Sequence, residues 1–516
     1  MVLKDDAITA LPIICNLIRP ILNKLFSLLS LNCRFKPLLL ACCLFIPLLV
    51  SPSSSLSAKE IKLPVLGDAA SGIISKQQEY ELGRTWLKVF RSRVKAYDDP
   101  LMQIYLEQLL YNLATYSDLE DPRLELVIVK NPSMNAFAVP GGVVGFHTGV
   151  FAYAENEDQM ASVLAHELAH LSQRHFSRGA EAQKKTSALS MAGLLASVVL
   201  AATAGGDAAT AAMVTTQALA MDSQLRYSRS NEKEADRIGL TTMQRANRDP
   251  GAVADMFATL LKASRYTGSR PPEFLLTHPV TEKRIGDARN RSMGTSMRQY
   301  PQNPQFYLMR ARALVAMEHN NKISINRFNA ELKANTLRAD AAHYGLALAY
   351  LKDNRLQKAK QIIGQLLAEN PNNLSFQYTD IEIDIAEKNH QLAVSKLNKL
   401  LTLNPNNYPL MVLKSEALWQ DHNYDSADSV LTALSRMRTQ DPMIWYRLAE
   451  VRGLAGNISG LHQARAEYFI LIGVFDKARE QLGLAAKLAS SDFKQSAIIR
   501  QRLRDLAQME DRAEKL

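Results

Sequence analysis

From about residue 304 onward the chain repeats itself every 34 residues, and that period leaves few folds open. Ala359, Ala393 and Ala427 recur at this interval, as do Pro371 and Pro405 in "AENPNN" and "TLNPNN". Between them apolar residues fall at helical spacing: Leu346, Ala347 and Tyr350, then Ala359 and Ile363. Thirty-four residues hold two helices and a turn, too little to bury an apolar face alone, so such units must stack on one another. The recurring alanine belongs where neighbouring helices approach closely. The register is imperfect, because Asp380 and Asp384 fall at positions that should be apolar.

This is the tetratricopeptide pattern, and it predicts an α-solenoid over residues 299–516 with a concave surface for protein binding. Four units are clear. Two more are degenerate; further units start near Pro304 and after Pro442, and "FDKAREQLGLAAKL" extends the array. "NRSMGTSMRQYPQNP" (290–304) reads as the linker to a first domain over 59–298. That domain begins with two helices, then a strand, "LELVIVK" (124–130), then two β-like runs flanking Pro140-Gly141-Gly142, a hairpin signal. The fold class expected is mainly α, with one small β element.

The composition, 47% apolar and 22% charged over 516 residues, is that of an ordinary globular chain. Of the net charge of +10, the first 58 residues carry +3, and the rest is scattered without a basic stripe interleaved with aromatics. Nucleic acid is therefore not an expected partner, while peripheral attraction to anionic lipid stays open. Cys15, Cys33, Cys42 and Cys43 are the only cysteines, so residues beyond 43 form neither a disulfide nor a thiolate site. Arg34 and Lys36 precede "PLLLACCLFIPLLV" (37–50), and a small-x-small junction ends at Ala58. That is a signal-peptide pattern, and the run is short for a membrane span. Residues 1–58 are expected to be a leader with an N-terminal extension; an anchor is the alternative. "LLAC", ending at Cys42, resembles a lipoprotein box, but the apolar run continues past it. A second uncharged run, 186–206, reads as a span, a tightly packed helix or a flap touching membrane or a client.

"VLAHELAHLSQRHF" (163–176) holds the chemistry. His166 and His170 are i and i+4 on a helix and can aim imidazoles at one zinc ion, at about 2.1 Å. Glu167 is rotated by about 100°, beside the metal, where it can take a proton from water. A third ligand is required. A histidine six residues on is absent: that position is Phe176, and His175 reads as a surface residue on the opposite face. "YSRSNEKEADRIGL" (227–240) offers Glu232, with Asp236 four residues later to hydrogen-bond the outer nitrogen of His166. Glu234 is the competing ligand.

HELAH, the upstream NAFAVPGG, SRSNEKEAD and "THPVTEKRI" (277–285), in that order, resemble the HtpX and CAAX-prenyl-protease type of zinc metallopeptidase. The resemblance implies a gluzincin-type α+β domain with a small sheet and one zinc per chain. It implies that His278 either occupies the metal's open position, as a switch, or helps to stabilise the oxyanion; a capping or core histidine is the alternative. Arg284 matches an arginine near the substrate carbonyl, with a structural salt bridge as the other reading. The strand Asn135-Ala136-Phe137-Ala138-Val139 would present an edge to which a client peptide adds as a further strand.

With leader and repeats, the resemblance points to a periplasmic zinc endopeptidase and chaperone. Its clients would be misfolded or stalled outer-membrane β-barrel proteins, and the repeats would dock on the machinery that inserts them. The competing readings are a non-proteolytic repeat adaptor with a silent site, and an integral-membrane zinc protease using 186–206 as a span.

Overall fold

The capping residues show how the first two described helices begin. Ser75 and Gln78 form a reciprocal capping box at the start of α1 (Lys76–Arg93), and Asp99 caps α2 (Pro100–Tyr116), whose first residue is proline. A computed structural model of the chain describes residues 75–182, 229–266, 272–295, 298–336 and 338–514. The leader (1–58) and the uncharged run (186–206) lie outside these. No helix of the described residues is long and apolar enough to cross a membrane.

Three strands follow α2: β1 (Glu125–Val129), β2 (Ala136–Val139) and β3 (Val143–His147), in the order β1-β3-β2. β1 runs parallel to β3, and β2 pairs with it as an antiparallel hairpin, Phe137 opposite Gly145. The hairpin turns through Gly141 and Gly142, both at φ near +80°, where a Cβ would collide with the backbones of α1 and Arg123. The outer edge of β1 is closed. Leu124, Leu126 and Ile128 give their carbonyls to Tyr111 Oη, Gln103 Nε2 and the Tyr97 amide at 2.9, 3.2 and 2.8 Å. Edge pairing is thereby left to β2.

A short α3 (Val150–Tyr153) separates the hairpin from α4 (Glu157–Ser172). Asn156 caps α4, and every residue from Glu157 to His170 is buried. Glu157 and Asp158 sit on its positive end, each 2.9 Å from Arg248 Nη1. After α5 (His175–Ala182) come α6 (Arg229–Arg245), α7 (Gly251–Tyr266), α8 (Phe274–Thr277) and α9 (Glu282–Ser292). Gly239 lets α6 lie against α4: a Cβ there would sit 3.2 Å from the His166 amide nitrogen.

Six helix pairs make up the repeats: α10/α11 (Pro304–Met317, Asn321–Ala334), α12/α13 (Ala339–Lys352, Leu356–Glu369), α14/α15 (Leu374–Ala386, His390–Leu403), α16/α17 (Tyr408–Gln420, Tyr424–Met437), α18/α19 (Pro442–Leu454, Ile458–Leu471) and α20/α21 (Phe475–Leu488, Phe493–Glu514). Ala359, Ala393 and Ala427 are fully buried, as their period requires. The misfit at Asp380 and Asp384 has a physical answer. Lys360 and Lys396, one from each flanking helix, pair with both carboxylates, so charge complementarity replaces apolar contact.

The repeats do not hang from the first domain. One hydrophobic cluster runs from Leu101 on α2 to Ala417 on α16. Phe306 of α10 stacks on Phe151 of α3 at 6.0 Å, and Asn303, within the stretch read as the linker, donates to Glu157 Oε2 at 2.6 Å. Arg438, after α17, holds Glu107 of α2 with two nitrogens. Arg312 of α10 bridges Asp99 and Glu382.

A candidate metal centre

α4 and α6 run side by side, and a loop after α8 closes over them. His166, His170, Glu232 and His278 each offer one ligand atom, and these atoms lie within 4.8 Å of one another. His166 Nε2 is 3.1 Å from His170 Nε2, 3.4 Å from His278 Nδ1 and 3.5 Å from Glu232 Oε2. Glu232 Oε1 is 3.4 Å from His170 Nε2 and 3.1 Å from His278 Nδ1. Ligands about 2.1 Å from a tetrahedral ion stand roughly 3.4 Å apart. The donor set and its spacing thus fit a zinc-type ion.

The same groups perturb one another's protonation. Burial presses His166 towards neutrality, but Asp236, 3.2 Å from Nδ1, and Glu232 outweigh it and lift the ring to about 9. Burial drives His170 the other way, well below the ordinary histidine range. Against its burial, Glu232 is held well below the usual carboxylate range by His278, His166 and His170.

Glu167 lies one step aside. It is fully buried, makes no side-chain hydrogen bond, and holds Oε1 3.5 Å from His278 Nε2. Burial raises its pKa, with His278 and His166 opposing. A buried carboxylate without a side-chain hydrogen bond costs stability, which marks a group kept for chemistry.

β2 passes this cluster with its free side. Asn135, just before the strand, accepts from the His147 amide at 3.0 Å, so by the two-residue alternation Ala136 and Ala138 turn their backbone groups outward. The Ala138 amide is near enough to Glu167 to lower its pKa.

Arg284 stands behind the two α6 carboxylates. It grips Asp236 with Nε and Nη2 at 2.7 and 2.6 Å, while Nη1 lies 3.0 Å from Glu232 Oε2 and 2.8 Å from the Pro279 carbonyl. These contacts are those of the salt-bridge reading; none is directed at the β2 edge.

One expectation needs correction. His175 is not a surface histidine: it is 1% exposed, its Nδ1 is 2.9 Å from His170 Nδ1 and its Nε2 is 3.1 Å from Glu234 Oε2. Extrapolating α4 put it on the wrong side. The helix stops at Ser172, and Arg174, at φ +51°, turns the chain so that His175 swings back beneath His170. Glu234, the competing ligand, is spent on this histidine and on Arg178 Nη1 at 3.0 Å, away from the cluster.

The loop bearing His278 is fastened by groups that the sequence did not flag. Glu273, at the start of α8, lies 3.7 Å from the buried His147 Nδ1 and accepts from Asn135 Nδ2 at 3.4 Å. Burial raises Glu273 to about 7, with Ser133 and Asn135 opposing, and lowers His147 to about 4. A raised carboxyl favours its protonated form in the fold, so its stability contribution is complete below about 4.5 and lost as pH rises through about 7. Glu273→Gln is therefore expected to match the wild type in thermal unfolding at pH 4 and to exceed it at pH 8, by about 2 kcal/mol. Parallel melting curves at both pH values would refute this.

Residues 100–292 match the sequence model of Peptidase family M48. Fold and site together define a metallopeptidase with a helical repeat domain. The chain is 32% identical over 452 residues to the Beta-barrel assembly-enhancing protease of Escherichia coli (strain K12), across 87% of this chain and 92% of that one. It is 31% identical over 436 residues to a Putative beta-barrel assembly-enhancing protease of Vibrio cholerae, across 83% and 88%. The Mitochondrial metalloendopeptidase OMA1 of Schizosaccharomyces pombe is 34% identical over 182 residues, 35% of this chain and 50% of that one. The chain belongs to the beta-barrel assembly-enhancing protease family of M48 metallopeptidases.

Proposed function

We propose that this metallopeptidase is a periplasmic zinc endopeptidase and chaperone acting on misfolded or stalled outer-membrane β-barrel proteins. The observation that carries the enzymatic reading is Glu167, buried without a side-chain hydrogen bond beside four convergent ligand atoms. His166, His170 and Glu232 would hold one zinc ion, and His278 would take the fourth direction at rest. When bound, the ion supplies Lewis acidity to polarise the scissile carbonyl and acidify a water. Glu167 accepts a proton from the attacking water and delivers it to the departing amine. Asp236 fixes the His166 tautomer, and Arg284 braces Asp236 and Glu232. The free edge of β2 aligns an extended client segment by its backbone, which suits loose sequence preference. Outer-membrane clients are read from the names of the relatives, and docking of the repeats on the β-barrel assembly machinery follows the same reading.

Protein lacking residues 1–58 is expected to carry one zinc per chain and to cleave an unfolded β-barrel polypeptide until a chelator removes the metal. His278 shares Nδ1 with the cluster, so substrate must displace it. If the closed state dominates, His278→Ala raises the competent fraction and quickens cleavage about fivefold or more, with zinc retained on three ligands. Slower cleavage with full zinc would assign His278 to transition-state binding instead.

A further inference from the structure

The two paired imidazoles are supported unequally. His166 has a carboxylate, Asp236, directly on its outer nitrogen. The outer nitrogen of His170 meets another imidazole, His175 Nδ1, at 2.9 Å, and a carboxylate comes only beyond that, Glu234 Oε2, 3.1 Å from His175 Nε2. We propose that His175 and Glu234 form a positioning relay that sets the tautomer and orientation of His170. The proposal rests on the reading of His170 as a metal ligand.

The proton order follows from the chemistry of the groups. A carboxylate only accepts, so His175 donates to Glu234 from Nε2. Neutral His175 then has a lone pair on Nδ1 and can only accept there. Two facing ring nitrogens share one proton, so His170 must supply it from Nδ1. That leaves a lone pair on His170 Nε2, the atom 3.1 Å from His166 Nε2 and 3.4 Å from Glu232. Read from Glu234 inward, the relay dictates the tautomer that a cation needs.

The fold is built to hold this chain. Glu79 of α1 accepts from Arg174 Nε at 3.0 Å and from Ser177 Oγ, pinning the corner that returns His175 under His170. α6 presents Glu232 to the cluster and Glu234, two residues on, to its far side, as helical rotation requires. One helix thus supplies a carboxylate to the cluster, one to His166 and one to His175.

The test uses protein lacking only the leader, loaded with zinc against a competing chelator and, separately, with cobalt(II). His175→Phe fills the ring's space without an acceptor and is expected to weaken zinc binding about 10- to 100-fold and to shift the cobalt absorption bands. His175→Gln, whose carbonyl oxygen can accept from His170, is expected to recover affinity to within about threefold of wild type. Should His175→Phe fail to fold, Glu234→Ala, at a side chain 27% exposed, carries the question, with a loss of about fivefold or more expected. Wild-type affinity and spectrum in His175→Phe, or in Glu234→Ala, would overturn the relay. A wild-type protein that binds neither ion would instead overturn the metal reading beneath it.

Discussion

Glu167→Gln is expected to lower peptide hydrolysis by about 10²- to 10⁴-fold, the usual worth of a positioned general base, while zinc content stays at the wild-type level. The substitution changes no volume and touches no ligand atom, because the Glu167 side chain lies beside the cluster and outside the set of four. A second, opposite effect is expected. Burial raises the Glu167 pKa, so the fold disfavours the ionised carboxylate. Glutamine removes that burden, and the thermal midpoint should hold or rise even as activity vanishes. Turnover of an unfolded client within about threefold of wild type would remove Glu167 from the chemistry and leave the repeat-adaptor reading standing.

Arg312→Met is expected to cost about 3–5 kcal/mol of stability, the range for leaving buried charges without their partner. Arg312 is 9% exposed and donates to Asp99 at 2.5 Å, Glu382 at 2.7 Å and the Tyr344 hydroxyl at 3.2 Å. Asp99 also caps α2 and accepts from Tyr97 Oη at 3.2 Å, so one guanidinium ties the peptidase domain to two repeat helices. Denaturant titration of the variant measures the loss. Adding Asp99→Asn and Glu382→Gln should restore most of it, because neutral partners no longer need the cation. A loss under about 1 kcal/mol would mean that apolar contacts alone hold the seam. The exposed pair Lys76–Glu120, at 55% and 68%, is the control: it is expected to contribute next to nothing.

Much of the site was legible because its logic is local. His166, Glu167 and His170 share a helix, as do Glu232 and Asp236, and helical rotation alone assigns each to a face. The repeat period was legible for the same reason: a 34-residue unit carries its own spacing of alanine and apolar residues. The misreadings came where the chain leaves a regular element. His175 was misread because Arg174 breaks the helical phase at a positive φ, a conformation that arginine does not advertise. His147 and Glu273 carry no motif at all. They meet only because β3 and the α8 loop are packed together, and burial lowers the histidine pKa and raises the carboxyl one.

What the sequence by itself determined is which side chains share a turn of helix, since backbone geometry repeats within a few residues and needs no other part of the fold. Only the tertiary structure decided which turns meet. It set α6 against α4 at Gly239, brought His278 across to the cluster, and drew the repeats onto α2 and α3 rather than leaving them on a tether. Those pairings depend on burying apolar area between segments far apart in the chain, a sum over the whole core that no short stretch records.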